Sequence, residues 1–111
     1  MNIKRQNIDD FLVLTIVDKD ANMTKSEYFK QEVLQDIADG AKKIIISFEC
    51  VEYLDSSFLG ALVAVLKRLI TQNGQLILIE LNNDIRNLFE LTRLDKIFDL
   101  KNSLETALEK P

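Results

Sequence analysis

Apolar and polar positions divide the chain into alternating strand and helix patterns. From Phe11 to Val17, Phe11, Val13, Thr15 and Val17 alternate with Leu12, Leu14 and Ile16, so both faces are largely apolar, which predicts a strand covered on both sides. Ile3 to Gln6 predicts a short edge strand ahead of it. Asn7 to Asp10 supplies turn residues between the two, so a hairpin is expected. After a polar loop from Asp18 to Met23, Phe29, Val33, Leu34, Ile37 and Ala38 recur at helical spacing behind Thr24 and Glu27, which have the Thr-x-x-Glu spacing of a capping box. This pattern predicts a helix from about Lys25 to Asp39, closed by a left-handed Gly40.

Lys42 to Phe48, with Ile44-Ile45-Ile46 at its centre, reads as the central strand. A polar crossing leads to Leu54-Asp55-Ser56-Ser57, which opens a long apolar helix beginning near Ser57 and reaching Ile70. Leu59, Leu62, Val63, Leu66 and Ile70 form one row on it, and Phe58, Ala61, Val65 and Leu69 a second. Together they span roughly 200° of the helix surface, more than the ~100° a core-facing helix needs. The second row is expected either under neighbouring helices or against a partner, with Lys67 and Arg68 on the solvated face. Asn73-Gly74 marks a turn, Gln75 to Leu81 a buried strand, and Asn82 or Asn83 the cap of a helix carrying Ile85, Leu88 and Phe89. Ile97 to Leu100 reads as a last short strand, and Ser103 as the cap of a final helix with Leu104, Ala107 and Leu108. This order predicts an α/β fold: a mixed, mostly parallel sheet of four to five strands with about four helices, antiparallel at the first hairpin and parallel across right-handed crossovers. Binding sites in such a fold favour the strand-to-helix loops.

At 111 residues the chain is expected to be a single domain, 1–111, burying roughly two-thirds of its unfolded surface. Apolar residues make up 47% and charged residues 29%, and no apolar run reaches the ~20 residues of a membrane span. The polar stretch Gln6 to Asp10 stands where an export signal would need apolar residues, which places the protein in the cytoplasm. Cys50 is the only cysteine and there is no histidine, so an internal disulfide, a Cys/His zinc site and a histidine-based triad are excluded. Cys50 is expected to pack as a small hydrophobe. The net charge of −4, with acids and bases mixed along the chain, argues against direct nucleic-acid binding. Three glycines form no phosphate-cradling loop, so no cofactor is expected and any nucleotide belongs to a partner. Glu49 and Glu52 read as a charged loop rim, since two carboxylates alone rarely hold a metal. Without coiled-coil heptads, a monomer is expected.

Asp55-Ser56-Ser57 is the sequence's candidate for chemistry. In one reading these residues cap a helix, their oxygens accepting from the free N–H groups of its first turn. In the other, Ser56 accepts a phosphate where the helix dipole tolerates negative charge, with Ser57 as a second candidate acceptor, and a docked partner then meets repulsion without any unfolding. A nucleophilic-serine hydrolase would need a base, and neither a histidine nor a lysine motif accompanies Ser56.

Tyr53-Leu54-Asp55-Ser56-Ser57-Phe58-Leu59-Gly60 resembles the aromatic-hydrophobic-Asp-Ser-Ser-Gly-Leu-Gly segment of STAS domains, the family of bacterial anti-sigma factor antagonists. Leu88 to Phe98 is similar to that family's carboxy-terminal helix and strand. The resemblance implies that Ser56, directly after the Asp, is the phosphorylated serine of a binding module. Such a module is a substrate and not an enzyme: it binds an anti-sigma factor that is also a serine kinase, frees the sigma factor, and is restored by a phosphatase. It further implies partner contacts at Asn22, Asp55, Ser56, Ser57 and Phe58. Phe58 stands where the family has glycine, so that its ring either adds apolar area to a docking surface or obstructs a close backbone approach. Lys19-Asp20-Ala21-Asn22 replaces the family's Gly-x-x-Asp, losing the glycine and turning the acid into an amide. The competing expectation is a constitutive STAS-like subunit of a larger complex, such as a membrane transport ATPase, with no phosphate cycle.

Overall fold

The hairpin, the first helix and its closure set the frame. In the computed structural model, which describes residues 1–109, β1 (Ile3–Ile8) and β2 (Phe11–Ile16) pair antiparallel across a two-residue turn in which Asp9 takes φ 55°. Lys110 and Pro111, included in the expected domain, lie outside the described residues. A two-residue bridge strand, β3 (Asp20–Ala21), precedes α1 (Met23–Ala38). The helix starts earlier than expected because Asn22, not Thr24, is its cap: the Asn22 side chain accepts from the Thr24 amide at 3.0 Å. Glu27 does not reach back to form the expected capping box; its carboxylate bonds Gln31 and Lys30 instead. Gly40 does adopt φ 114°, with Gly40 N–H donating to Ile37 and Ala41 N–H to Asp36, a Schellman closure.

The parallel part of the sheet follows. β4 (Lys43–Ser47) is central and pairs with β2; β5 (Tyr53–Leu54) pairs with β3 in a separate two-stranded bridge. α2 (Ser56–Thr71) leads to β6 (Gln75–Ile79), α3 (Asn83–Leu91) leads through a 3-10 turn (Leu94–Lys96) to β7 (Asp99–Lys101), and α4 (Leu104–Leu108) is the last element described. The main sheet has five strands in the order β1-β2-β4-β6-β7, antiparallel only at the hairpin. The last strand begins later than the apolar run suggests, because Phe98 is an anchor and not a strand residue: its ring meets Phe89 edge-on at 5.5 Å, while Ile97 is left exposed.

Helices α1, α2 and α3 cover one face of the sheet through Leu14, Ile16, Ile44, Ile46, Leu76 and Leu78, and α4 covers the other through Val13, Ile45 and Ile77, so β2 is covered on both sides as its pattern requires. The second apolar row of α2 faces inward. Phe58, Val65 and Leu69 have no exposed surface and Ala61 is buried; Ile70 alone among the row residues is well exposed. Its wide apolar surface is used in lying between the sheet and α1, which rules out that row as a docking face.

Candidate functional site

The three crossover helices run antiparallel to the strands that feed them, so their N-termini gather at the C-terminal edge of the sheet. Each is capped by a short polar side chain. Asn22 caps α1, Asp55 accepts from the Phe58 amide at 3.0 Å to cap α2, and Asn82 accepts from the Ile85 amide at 2.8 Å to cap α3. The bridge between β3 and β5 brings the first two together, and Asp55 N–H donates to the Ala21 carbonyl at 3.2 Å. The Asn82 side-chain amide joins the third by donating to the carbonyls of Val51 and Glu52, both at 3.3 Å.

Asp55 has a second role that no local pattern announces. Its other carboxylate oxygen accepts from the Met23 amide, the first of α1, at 2.7 Å, so one side chain satisfies orphan donors of two helices. Ser56 then occupies the first helical position of α2. Its side chain is exposed, and its hydroxyl makes no hydrogen bond to any described residue. The cap of α2 is therefore Asp55 alone, and the capping reading of Ser56 is not what the structure shows. Ser57 is likewise exposed, at the mouth of a cleft of ≈ 190 Å³ between α1 and α2 beside Ser26, Lys30 and Gly60.

On its other side Ser56 borders a groove of ≈ 460 Å³ with Tyr53, Leu54, Asp84, Ile85 and Leu88 among its lining residues. Its floor is apolar and its rim acidic: Glu52, Asp55 and Asp84 contribute carboxylates, and no lysine or arginine among the described residues lines it. Tyr53, which lines the same groove, and Met23, whose amide shares the Asp55 carboxylate, are each more than half exposed. Just past the end of β6, Glu80 holds its proton above the ordinary glutamate range, first because burial penalises its charge and then because Glu49 lies against it; the Ser47 hydroxyl, 3.4 Å away, pulls the other way.

Of the five expected partner contacts, Asn22, Asp55, Ser56 and Ser57 lie at the adjoining starts of α1 and α2, where Asp55 and Ser56 line the groove and Ser57 the neighbouring cleft. Phe58 does not join them. Its ring has no exposed surface and packs on Phe29 with centroids 4.6 Å apart, so it neither enlarges a docking surface nor stands over one. Tyr53 and the groove residues of α3 were not expected. Exposure of Tyr53 follows from the strand alternation that buries Leu54, whereas the approach of α3 is tertiary.

A family model described as the STAS domain matches residues 2–107. The chain belongs to the STAS family. Among similar proteins, a Thermotoga maritima protein provisionally named an anti-sigma factor antagonist is 29% identical over 104 residues, 93% of this chain and 91% of the relative. A crystal structure from that organism superposes with a TM-score of 0.86 at 26% identity, covering 96% of this chain and 91% of the other. The anti-sigma factor antagonist of Mycobacterium paratuberculosis gives 0.85 at 25% identity, with 96% and 90% covered. The anti-sigma-B factor antagonist of Staphylococcus aureus is 33% identical over 67 residues, 60% of this chain and 62% of the relative. These STAS relatives match the five-stranded mixed sheet and four helices described above.

Proposed function

We propose that this STAS domain is a phosphorylation-switched anti-sigma factor antagonist. Unmodified, it binds an anti-sigma factor that is also a serine kinase and so frees a sigma factor; the kinase phosphorylates Ser56 and ends the complex, and a phosphatase resets it. The chain is the substrate in this cycle, not an enzyme, and works in the cytoplasm as a monomer. The observation that carries the reading is the exposed Ser56 hydroxyl, free of bonds to described residues, on a groove that no side-chain cation among the described residues lines. A phosphate there adds about −1.5 to −2 charges that no described lining side chain neutralises, so a docked partner meets new negative charge. Because the Asp55 cap does not use Ser56, α2 keeps its start in both states.

The test is phosphopeptide mass spectrometry on the protein isolated from its own cells with phosphatases blocked, alongside Ser56→Ala. Phosphate on Ser56 is expected in the parent and none at that position in the variant, which retains its anti-sigma factor under conditions where the parent releases it. Absence of the phosphate across growth conditions, with a partner still co-purifying, would instead make the domain a constitutive subunit.

A further inference from the structure

We propose that the Asp55 carboxylate relays the charge state of Ser56 to α1: a phosphate on Ser56 drives the carboxylate off the Met23 amide, and the first turn of α1 loosens while α2 keeps its cap. The inference rests on Ser56 being the modified residue.

The carboxylate holds the two helices by two bonds of different character. The bond to Phe58 N–H, at 3.0 Å, closes within a single helical turn, and the Phe58 side chain is fully buried. The bond to Met23 N–H, at 2.7 Å, spans 32 positions of sequence and ends on a residue that is 69% exposed. Once released, the Met23 amide finds water at little cost. Phosphate on the adjacent residue sets two anions at one helix end, where they compete for the same positive dipole.

Side-chain cations do not relieve that competition. None among the described residues lines the groove. Of the nearby lysines, Lys19 pairs with Glu52 at 3.7 Å, Lys25 pairs with Asp18 at 3.2 Å while donating to the Asp20 carbonyl at 2.9 Å, and Lys30, in the cleft beside Ser57, pairs with Glu27 at 3.2 Å. The phosphate's remaining donors are the amides of Ser56 and Ser57, which have no partner among the described residues. Holding those draws the phosphate over the start of α2, close to the carboxylate. The strand bridge and the Asp55-to-Ala21 backbone bond keep the segments together, so the response stays within the first turn of α1.

The experiment uses the full chain, labelled with nitrogen-15, with phosphoserine installed at position 56 during translation. Amide hydrogen exchange is read at Met23 and Phe58, with and without the phosphate, in the parent and in Asp55→Asn, whose side chain can cap and accept without charge. Phosphate is expected to speed Met23 exchange at least fivefold and to leave Phe58 within twofold; in Asp55→Asn the Met23 acceleration falls below twofold. An unchanged Met23 rate in the phosphorylated parent overturns the relay, as does equal acceleration in Asp55→Asn. The parent comparison decides even if the variant folds poorly. Because the phosphate is placed by translation, a cell that never phosphorylates Ser56 would defeat the proposed function and leave this measurement standing, and an unmoved Met23 would defeat only the relay.

Discussion

Neighbouring side chains at this site have opposite tasks. Asp55 is tied to two helices and Ser56 to none, which lets one hold the fold while the other remains available to a modifying enzyme. Glu80, just past the end of β6, shows the cost of burying one acid against another, Glu49. Its folded carboxyl binds a proton more tightly than the same group in the unfolded chain, so stability is greatest below the unfolded value and falls as pH rises towards the folded one. Glu80→Gln keeps an acceptor for Ser47 but removes the charge. Its urea midpoint is expected above the parent's at pH 7, with the difference vanishing near pH 4; a midpoint equal to or below the parent's at pH 7 would remove Glu80 as a destabilising group. Asp18 behaves in the opposite sense: the Asn2 amide and then Lys25 hold its carboxyl below the usual range, so its contribution is lost as pH falls through that lowered value.

At the scale of elements, the boundaries carried by short-range chemistry follow from the sequence. Gly40 ends α1, Asn82 starts α3, and Ser103 starts α4 by accepting from the Thr106 amide, because each such signal acts within four residues. The start of α1 escaped the pattern because Thr24 and Glu27 had the right spacing for a cap that Asn22 makes two residues earlier, where the β3–β5 bridge delivers the chain. Gly74 illustrates a constraint with both local and distant parts. Its amide bonds the Leu69 carbonyl at 2.7 Å, and a Cβ there would lie 2.6 Å from the Lys42 carbonyl oxygen and 2.8 Å from a Leu69 methyl. Gly74→Ala is therefore expected to cost about 1–3 kcal/mol by forcing the α2–β6 connection away from β4, measurable by urea denaturation. A loss under 0.5 kcal/mol would mean that the connection yields freely.

Across the whole molecule, α1 and α2 are held together by packing between the elements, and the Phe29–Phe58 pair is its most buried aromatic contact. Phe58→Ala is expected to destabilise the domain by about 3–5 kcal/mol, the range for truncating a buried ring, with a matching fall in thermal midpoint. A surface docking role would predict near-normal stability instead. Alternation, helical spacing, caps and turns are local, and they determined the order of elements, the antiparallel hairpin with its parallel successors, and the position of Asp55-Ser56-Ser57 at a helix start. Only the tertiary structure decided that Phe58 faces inward, that Met23 shares the Asp55 carboxylate, and that α3 walls a groove beside Ser56. Each of those depends on segments more than 25 residues apart being brought into contact, and a direction in space across such a distance leaves no period in the chain.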